Sequence, residues 1–211
     1  MKTFVVTAVM AVVAAALLAG TASAASQPNP VFDQIATEVA GKPVAVYCEN
    51  DWYPWIKYFE SDGVNGAVVN GFTFPDVPTV FISPRQCETL WALHNRESVG
   101  TYYAASAIFT LAHEAVHQRG IADEGVTDCT AMPLVAGIAL KYFGITETIT
   151  QQYLVPKTIK RTVTVGTKKK TITIRTSVEA SRAIPNPWFE QLKTDTVRWH
   201  KAKPAEYQGT C

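Results

Sequence analysis

Residues 111–129 read "LAHEAVHQRGIADEGVTDC": two histidines stand four apart, a glutamate follows the first, and three acids follow the second. On a helix, positions four apart lie one above the other. His113 and His117 therefore present two imidazoles to one point, the geometry of a bidentate zinc clamp. Glu114 lies one step round, close enough to reach a metal-bound water without taking a coordination position. Zn2+ lowers the pKa of such a water to about 7. A carboxylate then removes its proton during attack on a carbonyl and returns it to the leaving amine. The expected chemistry is zinc-dependent hydrolysis of peptide bonds, with Glu114 as general base. Asp123, Glu124 and Asp128 compete to complete the metal shell. Asp123 equally suits a helix cap, Asp128 a hydrogen bond to a ligand's other ring nitrogen, and all three the positive end of a helix dipole.

The "HEAVH" motif resembles that of the zincin metallopeptidases, which share this helix and a mixed sheet. The match is complete over five residues, and the stretch after His117 fits two patterns. "HEAVHQRGIAD" is similar to the metzincin HExxHxxGxx arrangement of small secreted actinobacterial proteases, with Gly120 in place and Asp123 at the ligand position. Such proteins also carry a Met-turn well beyond the site. Here Met132, the only methionine after the leader, lies fifteen residues past His117 inside an expected helix. "EGVTD" resembles the gluzincin ExxxD, which implies Glu124 as third ligand and Asp128 behind a histidine ring. Glu124 follows His117 by only seven residues, so a tight turn through Gly120 must bring two helices together. The stretch as a whole resembles exported actinobacterial proteins with HEAxHxxGxxDExxT(D/E)C.

The resemblance implies an α+β, zincin-like fold in which a small mixed sheet packs on an active-site helix and a following helix. It implies zinc held by His113, His117 and Glu124, and a peptide or protein substrate. The strand "TVFIS" would be the edge that pairs with an extended substrate. An oxyanion donor is also needed, for which Tyr153, Tyr207, His200 and His94 are candidates.

Local patterns define the elements that must position these residues. A helix over about Thr101–Gln118 carries an apolar stripe of Ile108, Leu111, Ala112, Ala115 and Val116, stopped by Gly120. A second helix begins at Asp123 and continues to Phe143 with a kink at Pro133. Upstream, Asn29-Pro30 and Ser83-Pro84 start helices, "PVAVYCE" and Thr79–Ile82 read as strands, and "GAVVNGF" as a turn and short strand. Trp52, Trp55 and Tyr58 form a core or rim cluster. Residues 157–178 alternate Thr and Lys with Val and Ile, a β-hairpin insertion with one face packed. Its basic tip suits either an anionic surface, such as envelope polymer, or a solvated, aggregation-resistant edge. Asn186-Pro187 starts the last helix.

Residues 1–24 read as a signal peptide: Lys2, an apolar run from Phe4 to Leu18, and a cleavage site at Ala22-Ser23-Ala24. No later run has the length of a membrane span. The secreted chain, 25–211, is expected to be a single domain and a monomer. Loss of Lys2 takes the formal charge from +1 to 0, which gives no reason to expect a nucleic-acid partner. Four cysteines and no CxxC favour two disulfides in an exported protein, Cys48–Cys87 and Cys129–Cys211 among three connectivities. Two alternatives to a peptidase stand: an inactive zincin-like binding protein, and a disulfide-stapled module that binds anionic envelope polymer through its hairpin.

Overall fold

Capping residues start the helices where their chemistry requires. Asn29 accepts hydrogen bonds from the amides of Val31 and Phe32, Pro30 takes the first position of α1 (Pro30–Ala40), and Gly41 ends it at φ 71°. The computed structural model describes residues 29–49, 51–60, 66, 69–74, 76–165 and 168–203. The leader (1–24), Ala67 and Val68 of "GAVVNGF", Tyr207 and Cys211 fall outside these. After α1 come β1 (Ala45–Cys48), α2 (Trp52–Glu60), β2 (Gly71–Thr73), β3 (Thr79–Ile82), α3 (Pro84–His94) and α4 (Thr101–His117). Then come α5 (Glu124–Ala131), α6 (Leu134–Tyr142), β4 (Thr148–Val165), β5 (Lys168–Pro185) and α7 (Pro187–Lys201). The fold is mixed α+β, with small sheets and seven helices among the described residues. Its contacts group into two compact units, one of residues 1–88 and 110–122, the other of 89–109 and 123–211.

The first unit is built on a three-stranded sheet ordered β1-β3-β2, with β1 parallel and β2 antiparallel to β3. Alternation divides its faces. Val46, Cys48, Val80 and Ile82 are buried on one, while Tyr47, Phe81 and Phe72 form a cross-strand row on the other. Phe72 stacks on Phe81 at 4.7 Å and on Tyr58 of α2 at 4.9 Å. The aromatic cluster of α2 is thus divided: Trp55 is core, its indole N–H donating to Gly66 O, while Tyr58 is half exposed. "TVFIS" is not an edge. It forms β3, the central strand, because it pairs on both sides. The outer side of β1 is covered by α1, whose Asp33 accepts the Val46 N–H at 2.6 Å and whose Thr37 hydroxyl bonds Val44. That leaves β2 as the edge that no strand or helix side chain caps in this way among the described residues. A Cys48–Cys87 disulfide joins the end of β1 to α3, with Cα atoms 5.5 Å apart. Pro84 opens α3 as expected, but the Ser83 hydroxyl is buried and makes no capping bond among the described residues.

The second unit buries Leu90, Ile108, Phe109, Val135, Ile138, Phe189 and Leu192. The helix expected to run from Asp123 to Phe143 with a kink at Pro133 is two helices. Pro133 lacks an N–H and its ring crowds the preceding turn, so α5 ends at Ala131 and α6 begins at Leu134. The hairpin extends beyond its sequence signal: β4 and β5 pair over eighteen residues each, from Thr148↔Pro185 to Val165↔Lys168. Neither face packs. Of the described side chains between 148 and 185, all are exposed except the half-buried Val155, Ala180 and Ile184. At the root, the Asn186 N–H donates to Glu147 O at 2.7 Å and its side-chain amide to Thr146 O at 2.8 Å. Cys129 is disulfide-bonded. No described helix is long and apolar enough to cross a membrane.

Candidate metal centre

The motif helix is buried on every side, not along one stripe. Each residue from Ala104 to Val116 is buried, including Ser106, Thr110, His113 and Glu114. Polar groups persist at such positions where they are hydrogen-bonded or bind a metal. After His117 the chain turns at Gly120, whose φ of 88° suits glycine. Asp123 then caps α5, its carboxylate accepting the Val126 N–H at 2.8 Å. Glu124 becomes the first residue of α5.

This turn gathers His113, His117 and Glu124. One ligand atom from each lies within 4.8 Å of the others, a group that could hold a metal ion. The Nε2 atoms of the two histidines are 3.0 Å apart. Nitrogens held about 2.0–2.1 Å from a tetrahedral zinc stand roughly 3.3 Å apart, close to that separation. His117 Nδ1 lies 2.7 Å from the carbonyl of Ile121. A carbonyl only accepts, so Nδ1 carries the proton, and in the neutral ring the Nε2 lone pair then faces the group, the tautomer a metal ligand needs. Two imidazoles and a carboxylate make the three-ligand set of a catalytic zinc site, which keeps a position open. The residues present fit zinc.

Around this group the first unit supplies supports. Gln118, also buried, donates from Nε2 to Thr73 Oγ1 and to the carbonyls of Phe74 (3.0 Å) and Val77 (2.9 Å), fastening the end of α4 to the β2–β3 connection. Arg119 donates to Val39 O. Gly71, the first residue of β2, lies directly over the motif. A Cβ there would stand 2.9 Å from both Glu114 Cγ and Thr110 Cγ2, so glycine is what lets β2 approach Glu114.

Other candidates occupy different surroundings. Both oxygens of the buried Asp128 receive Lys203 Nζ at 2.8 Å, and His200 Nδ1 lies 3.3 Å away. Neither Asp123 nor Asp128 belongs to a metal-holding group among the described residues. His200 is buried beside Asp128. His94 is exposed, edge-on to Trp91 at 5.7 Å. Tyr153 is exposed on β4, with Arg182 over its ring. Gly71, Gln118 and Ile121 support the site without being expected from the sequence. A glycine inside a β-type run is a usable signal for the first, whereas Ile121 contributes only a backbone oxygen. Compared with protein-family models, curated proteins and solved structures, the chain finds no match.

Proposed function

We propose that this chain is a secreted zinc-dependent metallopeptidase. What carries the reading is the gathering of His113, His117 and Glu124 within 4.8 Å, around a motif helix on which Glu114 adjoins His113. Bound there, zinc would acidify a water and polarise a substrate carbonyl. Glu114, buried against β2, takes the proton of the attacking water on its carboxylate and delivers it to the departing amine. His117 is held in the ligating tautomer by Ile121 O. The outer edge of β2, unpaired by any strand among the described residues, rather than "TVFIS", offers main-chain pairing to an extended peptide. The disulfide Cys48–Cys87 is compatible with an extracellular setting.

Elemental analysis of the purified mature chain is expected to give one zinc per molecule. Glu114→Gln should keep that zinc and lose amide hydrolysis by about 10²–10⁴-fold. A chain that refuses zinc while retaining full thermal stability, or a Glu114→Gln variant as active as wild type, would overturn the assignment.

A further inference from the structure

The β4–β5 ribbon leaves an apolar stripe uncovered. Register places Val155↔Val178, Lys157↔Thr176, Ile159↔Ile174 and Arg161↔Ile172 on one face. Ile159, Ile172, Ile174 and Val178 there are each 40–44% exposed. The opposite face over the same span carries Pro156, Thr158, Lys160 and Thr162 against Ser177, Arg175, Thr173 and Thr171, with no aliphatic side chain but the proline. The amphipathic stretch from 155 to 161 is about 20 Å long. A two-stranded ribbon in water is at best marginally stable, and this one has no third strand or helix on its stripe among the described residues.

Charge indicates what covers it. Within 148–185 there are eight lysines and arginines and one acid, Glu179, a net of +7. The whole chain carries +1, so the remainder carries −6. A soluble polyanion calls for cations alone. A second copy of this ribbon would bring Lys157 and Arg161 against their equals. Cations interleaved with half-exposed isoleucines on one face instead match an interface that is anionic outside and hydrocarbon within. We propose that the ribbon docks the protein on an anionic phospholipid surface. Lys157 and Arg161 meet headgroups, and Ile159, Ile172 and Ile174 enter the acyl boundary. This assignment does not depend on zinc.

Co-sedimentation of the full mature chain with phosphatidylglycerol/phosphatidylcholine vesicles tests it. Binding is expected to those vesicles and not to phosphatidylcholine alone. The pair Lys157→Gln with Arg161→Gln should weaken it about 25-fold, since each cation near an anionic leaflet contributes about fivefold. Ile159→Ser with Ile174→Ser should also abolish it, with circular dichroism and zinc content unchanged. Failure to bind the anionic vesicles, or equal binding to phosphatidylcholine, overturns the proposal. So does binding that survives both serines and is fully competed by polyglutamate, which marks a polymer site. Self-association in sedimentation velocity that the serines remove, without vesicle binding, identifies a second copy as the occupant instead.

Discussion

Gly71 and Glu114 pack together because the strand has no side chain where the helix has the Cγ of its glutamate. The expected outcome of Gly71→Ala is a displaced Glu114: zinc content unchanged, kcat for peptide hydrolysis lowered at least tenfold if general-base alignment is worth about 10²–10⁴, checked by steady-state assay beside metal analysis. The acids of the "ADEGVTD" segment separate by role in the same assay. Glu124→Ala should lose the metal. Asp123→Ala should keep it and lower unfolding free energy by about 1 kcal/mol, the loss of a cap. Asp128→Ala should cost about 3–5 kcal/mol in a denaturant titration, because it leaves Lys203 without its buried counter-charge. The meeting of His113 and His117 was legible because it depends on helical spacing, which is local. Glu124 was legible through the resemblance, within seven residues of His117. Asp128 was not, since its partner lies 75 residues along the chain and nothing in "EGVTD" records Lys203.

Elements were legible where their signals are local and were misread where pairing is distant. Asn29-Pro30, Gly41, Gly120 and Asp123 mark their helix ends as the sequence suggests. "TVFIS" looks the same whether it sits at an edge or in the centre, and only its partners β1 and β2 decide. Pro156 argues against a strand beginning as early as Thr148, but a two-stranded ribbon consists entirely of edges, where proline is tolerated. Pro133 does more than kink a helix: it ends one and starts the next. The Cys48–Cys87 disulfide closes a loop with a sequence separation of 39. Replacing both cysteines by alanine should lower stability by about 4 kcal/mol through the unfolded chain's regained freedom, measured by reversible unfolding.

At the scale of the whole molecule, the charge and the apolar surface are unevenly shared. The ribbon holds the positive excess and the uncovered stripe, while His113 and Glu114 of the motif helix are buried. Because Asn186 bridges Thr146 and Glu147 at the root, excising 150–183 and closing the ends with a short turn should leave zinc content intact. The melting temperature should move by only a few degrees, and vesicle binding should vanish; calorimetry, elemental analysis and sedimentation together check this. The root has a consequence for inheritance. Side chains alternate along a strand, so one extra residue inserted in each arm midway turns the outer stripe to the opposite side of the inner one, whereas two in each arm restore it. Descendants of this gene that keep the stripe should therefore lengthen or shorten the ribbon by even numbers per arm, while the flanking Glu147 and Asn186 stay in register.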